Sequence, residues 1–269
     1  MTAVGMSSTQ NNRRLTLDAI RILSSKLYRF SIGPQKREYT IHSAVVEIQS
    51  PTLNTLVNNT NFKEGCDCHA ELEDVDEETF ISFVEYAYTR SYGEMHTVAP
   101  APVATQAEIP EPPAAKPKKN GLKRSKLWVS FTAAVADARP PDYDDSRTST
   151  VNILAEDKGI DLLLRHARLY LFADCYGISR LMGLSLYNLG TTLIIFGSQE
   201  NRGDRMEDIV TLLRYCYDRP TPEQLRSLLL LRAVCDVEKL WKRDSFRELL
   251  AAHRELAVDL VGIMIRRLD

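Results

Sequence analysis

Residues 38–92 constrain the fold of this chain more than any other part, because they change pattern type several times in a fixed order. A short β-patterned run ends at Ile41 and passes directly into a helical one at His42. Helix one is expected over 42–49, with Ala44, Val45 and Ile48 on one face. Ser50 is a good N-cap, and Pro51 suits the first helical position, where its missing N–H costs nothing, so a second helix opens there. A Phe62-Lys63-Glu64 turn follows, then a short strand over 70–72. Asp76 is placed to cap a third helix, and Glu77 and Glu78 complement the positive end of its dipole. Phe80, Phe83, Val84 and Ala87 would form its buried stripe. Upstream, Leu15, Ala19, Ile22 and Leu23 recur at helical spacing over 15–27. Two strands, over 28–32 and 38–41, flank the turn-forming Gly33-Pro34-Gln35, which reads as a hairpin.

Composition then changes abruptly. Residues 98–121 hold six prolines among Ala and Glu, a mixture that buries too little apolar surface to offset chain entropy. Residues 98–156 are therefore expected to be a Pro-rich disordered insertion, with Leu127 to Phe131 open as a short strand or an anchoring patch. Residues 1–14 are polar and expected to be disordered as well. Helical patterns resume near Gly159. Residues 162–175 are apolar almost all round, as in a buried helix, and a second helix over 178–192 follows the C-cap signal Tyr176-Gly177. Ile209, Leu212, Leu213 and Cys216 fall at i, i+3, i+4 and i+7 of a helix over 206–217. Thr221-Pro222-Glu223-Gln224 reads as a capping box. A last helix, 246–267, would carry Leu249, Leu250, His253, Ala257, Leu260, Val261 and Met264 on one face, as a core stripe or a partner-binding one.

Taken in order, the motifs resemble the BTB/POZ domain, in the variety abundant in fungal proteins. Ile41-His42-Ser43 is similar to the family's V-H-K start of helix one, and Gln49-Ser50-Pro51 to its x-S-P start of helix two. Phe62-Lys63-Glu64 matches its F/M-x-E turn, Leu72 to Asp76 its L-x-D-V-D, and Phe80 to Tyr88 the aromatic core of helix three. Ala167 to Ile178 resembles the start of its final helical pair. The resemblance implies an α+β fold, a small sheet capped by helical hairpins, with an all-helical C-terminal extension. It divides the chain into a core over 15–97, the insertion over 98–156, the last helical pair of the core over 157–196, and the extension over 204–269. It also implies a non-enzymatic protein-interaction module that forms homodimers and recruits a partner protein. By the family's habit, self-association would use Leu15, Ala19, Ile22, Leu23 and His42. Phe62 and Glu64 resemble the hydrophobic-x-acid element by which many such proteins contact a cullin scaffold of ubiquitin ligases. Two positions depart from the pattern: Arg29 stands where the family has a first-strand Asp near the histidine, and Ser43 where it commonly has Lys.

Other clusters support less. Cys66-Asp67-Cys68-His69 has metal-binding residue types, but tetrahedral zinc needs a second pair, and none lies nearby; a polar loop is the simpler reading. Lys116, Lys118, Lys119, Lys123, Arg124 and Lys126 form a basic run suited to nuclear import or to keeping a linker soluble. No aromatics interleave with it, so no specific nucleic-acid binding is expected. The formal net charge of −2 points the same way. His166 and Cys175 stand nine residues apart on one expected helix, roughly 13 Å at 1.5 Å per residue, too far for a catalytic pair. There is no Gly-rich phosphate loop, nucleophile elbow or H-E-x-x-H motif, so neither an enzyme nor a cofactor is expected. Apolar runs such as 193–196 are too short to span a bilayer, and the first residues lack the apolar region of a secretory signal. The five cysteines are odd in number and scattered, three of them (Cys175, Cys216, Cys235) in apolar helical patterns, which suits a reducing cytoplasm or nucleus.

Overall fold

The hairpin, the helices capped by Ser50 and Asp76 and the stripe of Ile209, Leu212, Leu213 and Cys216 form as expected. The computed structural model describes residues 19–61, 63–93, 119–141, 143, 159–198 and 205–268. It is mainly helical, with one small mixed sheet. The described residues fall into two compact units. The first runs to Gly93 and includes the turn Cys175–Ile178; the second holds the rest.

In the first unit, residues 19–24 form α1. Strand β1 (Leu27–Ile32) pairs antiparallel with β2 (Arg37–His42). Gly33 turns the chain between them at φ +66°, and the Lys36 N–H donates to its carbonyl at 3.0 Å. Helices α2 (Ser43–Glu47), α3 (Pro51–Asn58) and α4 (Lys63–Asp67) then carry the chain back, so that β3 (His69–Leu72) lies parallel to β1. A parallel return needs such a crossover, and the sheet order is β2-β1-β3. Helix α5 (Glu77–Thr89) follows. Tyr28, Phe30 and Ile32 alternate onto the buried face, where the Phe30 and Phe80 rings sit 5.3 Å apart. Both expected caps are present: Leu53 N–H donates to Ser50 Oγ at 3.1 Å, and Thr79 N–H to Asp76 Oδ1 at 2.9 Å. Helix one is shorter than expected. Over its five residues it buries Ser43, Ala44, Val45 and Val46, and Ile48 beyond its end is exposed. A single turn has no persistent face, so periodicity assigned the wrong residue inward.

The second unit holds α6 (Lys119–Asp137), α7 (Gly159–Cys175), α8 (Ser179–Ser198), α9 (Arg205–Tyr217), α10 (Glu223–Cys235), α11 (Val237–Leu240), α12 (Asp244–Ala252) and α13 (Arg254–Leu268). One apolar core joins them, drawing Phe131 from α6, Leu163 and Ala167 from α7, Leu189 from α8, Leu213 from α9, Leu229 from α10 and Leu256 from α13. Four expectations need correction. Residues 119–137 are helical, where a disordered insertion was expected, because Leu127, Phe131 and Val135 at i, i+4 and i+8 all find apolar partners. The division between a last helical pair over 157–196 and an extension over 204–269 does not hold, since α7 and α8 share the core of α9 to α13. Thr221 forms no capping box; its hydroxyl donates to the Cys216 carbonyl at 2.7 Å, and α10 starts from Pro222 without a side-chain cap. The last helix is two helices, broken at His253, whose Nε2 lies 3.0 Å from Asp218 Oδ1. The break resets the helical phase, so Leu256 and Leu260 turn inward while Val261 is 54% exposed.

Candidate interaction surface

Within the first unit the three most exposed large apolar side chains lie near its start, while Ile48, Ile81 and Tyr88 are less exposed. Ile20, Leu23 and Leu27 are 58%, 74% and 58% exposed. Polar contacts hold this edge in place. Arg21 pairs with Glu47 of α2, which also accepts from Asn58 Nδ2 of α3 at 2.8 Å. Ser43 N–H donates to the Lys26 carbonyl at 2.8 Å, and Ala44 N–H to Ser25 Oγ at 3.3 Å. Helix α1 is thereby tied beside α2 with apolar side chains left in water, an arrangement suited to covering by another protein surface.

Of the residues expected to self-associate, Leu15 lies outside the described residues; Ala19 and Leu23 are exposed, and Ile22 and His42 are half-buried. Ile20 was missed, although its spacing of three from Leu23 is readable in the sequence. His42 occupies the N-cap position of α2, and its Nδ1 sits 2.8 Å from the Tyr88 hydroxyl, the two rings edge to face. Leu27 faces it across the hairpin. Arg29, at the position of the family's Asp, lies opposite Thr40 and 3.6 Å from Glu38, both side chains more than half exposed. A phenol thus stands beside the imidazole, for which the Arg29 departure left no carboxylate neighbour expected, and the Arg29–Glu38 pair contributes little in so much water.

Glu64 lies on α4 with an exposed side chain; its backbone carbonyl accepts from the Tyr28 hydroxyl at 3.0 Å. Burial, then the nearby Glu64 and Cys68, push the Tyr28 phenol up to about 12. Phe62 lies outside the described residues. Cys66-Asp67-Cys68-His69 is not a loop but the end of α4 running into β3. Gly65 is required there, because a Cβ would fall 2.2 Å from the Asn59 carbonyl oxygen. Cys66 Sγ donates to the Thr60 carbonyl at 2.9 Å, and His69 Nε2 lies 2.8 Å from Ser31 Oγ. Among the described residues no cluster of His, Cys, Asp or Glu could hold a metal ion.

The basic run divides. Lys116 and Lys118 lie outside the described residues; Lys119, Lys123 and Arg124 belong to the first turns of α6, and Lys126 is exposed. His166 is buried in α7, with Thr192 Oγ1 3.5 Å from its Nε2. Burial, then the Arg165 charge, hold its imidazole down at about 3, so it stays neutral at physiological pH. Cys175 is exposed at the helix end, whereas Cys216 and Cys235 are buried as expected of small apolar groups. Burial pushes the Cys216 thiol up to about 12 and leaves it unreactive. No described helix is long and apolar enough to cross a membrane. No protein-family model and no curated protein matches this chain.

Proposed function

We propose that this chain is a BTB/POZ-like protein-interaction module that self-associates through α1 and α2 and recruits a partner protein. The reading is supported by the order of elements: hairpin, helical pair, a third strand parallel to β1, then α5. That is the order the resemblance implies. The observation that carries self-association is the exposure of Ile20, Leu23 and Leu27 on an edge that is held in place by hydrogen bonds. A two-fold contact would bury the same patch from both copies and remove its apolar area from water.

Light scattering across a concentration range tests it. The unmodified chain is expected at twice the monomer mass, and Leu23→Glu at the monomer mass, because the substitution would bury an unpaired carboxylate at the contact. A monomeric unmodified chain, or a Leu23→Glu chain that still dimerises, would overturn the use of this surface.

A further inference from the structure

Helix α6 joins the core of the second unit along one face. It packs on α10, α8 and α13. Its anchors are Leu127, Phe131 and Val135, at 8%, 0% and 3% exposure, while Val129 on its outer side is 59% exposed. The surface beneath it is shaped for a helix. A Cβ on Gly190 of α8 would lie 2.4 Å from Val135 Cγ2, and one on Gly183 would lie 3.2 Å from the Ala138 carbonyl oxygen. Glycine weakens a helix interior relative to alanine, so the bare backbone of α8 is explained by this close approach. Beyond α6, the Tyr143 ring meets Tyr187 of α8 edge to face at 4.8 Å.

The floor also carries a charge. Arg232 of α10 is 1% exposed, pairs with Asp236, and donates through Nε to the Leu193 carbonyl at 3.4 Å. Its guanidinium lies 5.6 Å from the Trp128 ring of α6. Its Nη2, although buried, has no hydrogen-bond partner among the described residues. Domain cores seldom hold arginine, whereas protein–protein interfaces are enriched in it. An unsatisfied donor directly under α6 marks that helix as an imperfect occupant.

We propose that the α8–α10 face under α6 is a helix-binding groove that α6 fills in cis. Its occupant in trans is an amphipathic helix of a partner protein, with bulky apolar side chains at i, i+4 and i+8 and a hydrogen-bond acceptor at i+1. The first three positions copy Leu127, Phe131 and Val135. The fourth takes the place of Trp128 and would engage the idle Nη2 of Arg232. The groove is distinct from the α1–α2 surface and does not depend on it.

The test uses the full chain and a fluorescein-labelled peptide of residues 119–138. Phe131→Glu and, separately, Val135→Asp are introduced into the chain to release α6, with circular dichroism and thermal melting as checks on folding. Both variants are expected to stay folded and bind the peptide at least about tenfold more tightly than the unmodified chain, whose groove is occupied. A peptide carrying Phe131→Glu is expected not to bind. A peptide carrying Trp128→Glu is expected to bind about tenfold more tightly than the native sequence, the effect of one charge-assisted hydrogen bond. Loss of the cooperative melt in both variants would make α6 an inseparable part of the core and overturn the groove. Folded variants that ignore the peptide would overturn it as well. Equal or weaker binding of the Trp128→Glu peptide would overturn recognition through Arg232.

Discussion

The two units start their helices by different means. In the first, α3 and α5 begin with side chains that cap them, Ser50 and Asp76, each accepting a backbone N–H. In the second, α10, α11 and α12 begin at Pro222, Asp236 and Arg243, none of which caps through its side chain. What replaces the caps is burial: α10 alone turns eight of its thirteen residues inward, including Arg232. Local hydrogen bonds define the starts of α3 and α5 in the first unit. In the second, α10, α11 and α12 are defined by one another, since packing of apolar faces supplies most helix stability in proteins.

The comparison can be broken most readily in the shared core. Leu213, fully buried in α9, is expected to cost about 3 kcal/mol when cut to alanine, through lost contacts and the cavity left behind. Both tryptophans, Trp128 and Trp241, lie in the second unit, so urea unfolding followed by their fluorescence reads this unit alone. A loss below about 1 kcal/mol would mean that its helices stand more independently than the shared core implies.

Next in size is a pH effect at His166. Its folded-state pKa, about 3, lies below the ordinary value of 6.5, so the unfolded chain binds more protons than the folded one in between. Stability from this residue is therefore complete above about 6.5 and falls as the pH drops toward 3. Acidification from pH 7 to 5 is expected to remove about 2 kcal/mol. His166→Gln should flatten that part of the profile in the same fluorescence assay, and an unchanged profile would place the titrating group elsewhere.

The smallest effect belongs to the first unit. Asp76→Ala removes the acceptor for the Thr79 amide and hydroxyl and is expected to cost about 1 kcal/mol. Hydrogen exchange of the first-turn amides of α5 would follow it. Protection unchanged by the substitution would show that α5, too, is held chiefly by packing.

The same contrast decides what was legible in the sequence. Ser50 and Asp76 each act on an amide three residues away, so both helix starts could be read directly. The stripe Ile209, Leu212, Leu213 and Cys216 is buried as its spacing implies, because α9 is long enough for periodicity to persist. Thr221 carries a capping motif yet bonds to Cys216, since the end of α9 comes within its reach. The break at His253 involves Asp218, thirty-five residues earlier, and no local signal contains that contact. Helix α6 had a readable i, i+4, i+8 pattern, but the prolines before it dominated the composition of the window. On the edge proposed for self-association, Leu23 was legible from spacing and Ile20 equally so, whereas the Tyr88 partner of His42 lies forty-six residues away.

Strand β1 has a bearing on how this chain can vary. Among the described residues it is the only strand paired on both sides, antiparallel along its whole length to β2 and parallel to β3 from Arg29 to Ile32. Inserting or deleting one residue within it would reverse the facing of every strand residue on one side of the change, so that Tyr28 and Ile32 could not both stay inward, and would disrupt two registers together. In the turn from Gly33 to Lys36, Gly33 still donates to the Leu72 carbonyl and Lys36 to Glu71, but the exposed Pro34 and Gln35 between them belong to neither register. Length changes among relatives of this chain should therefore accumulate in that turn and be purged from the six residues before it.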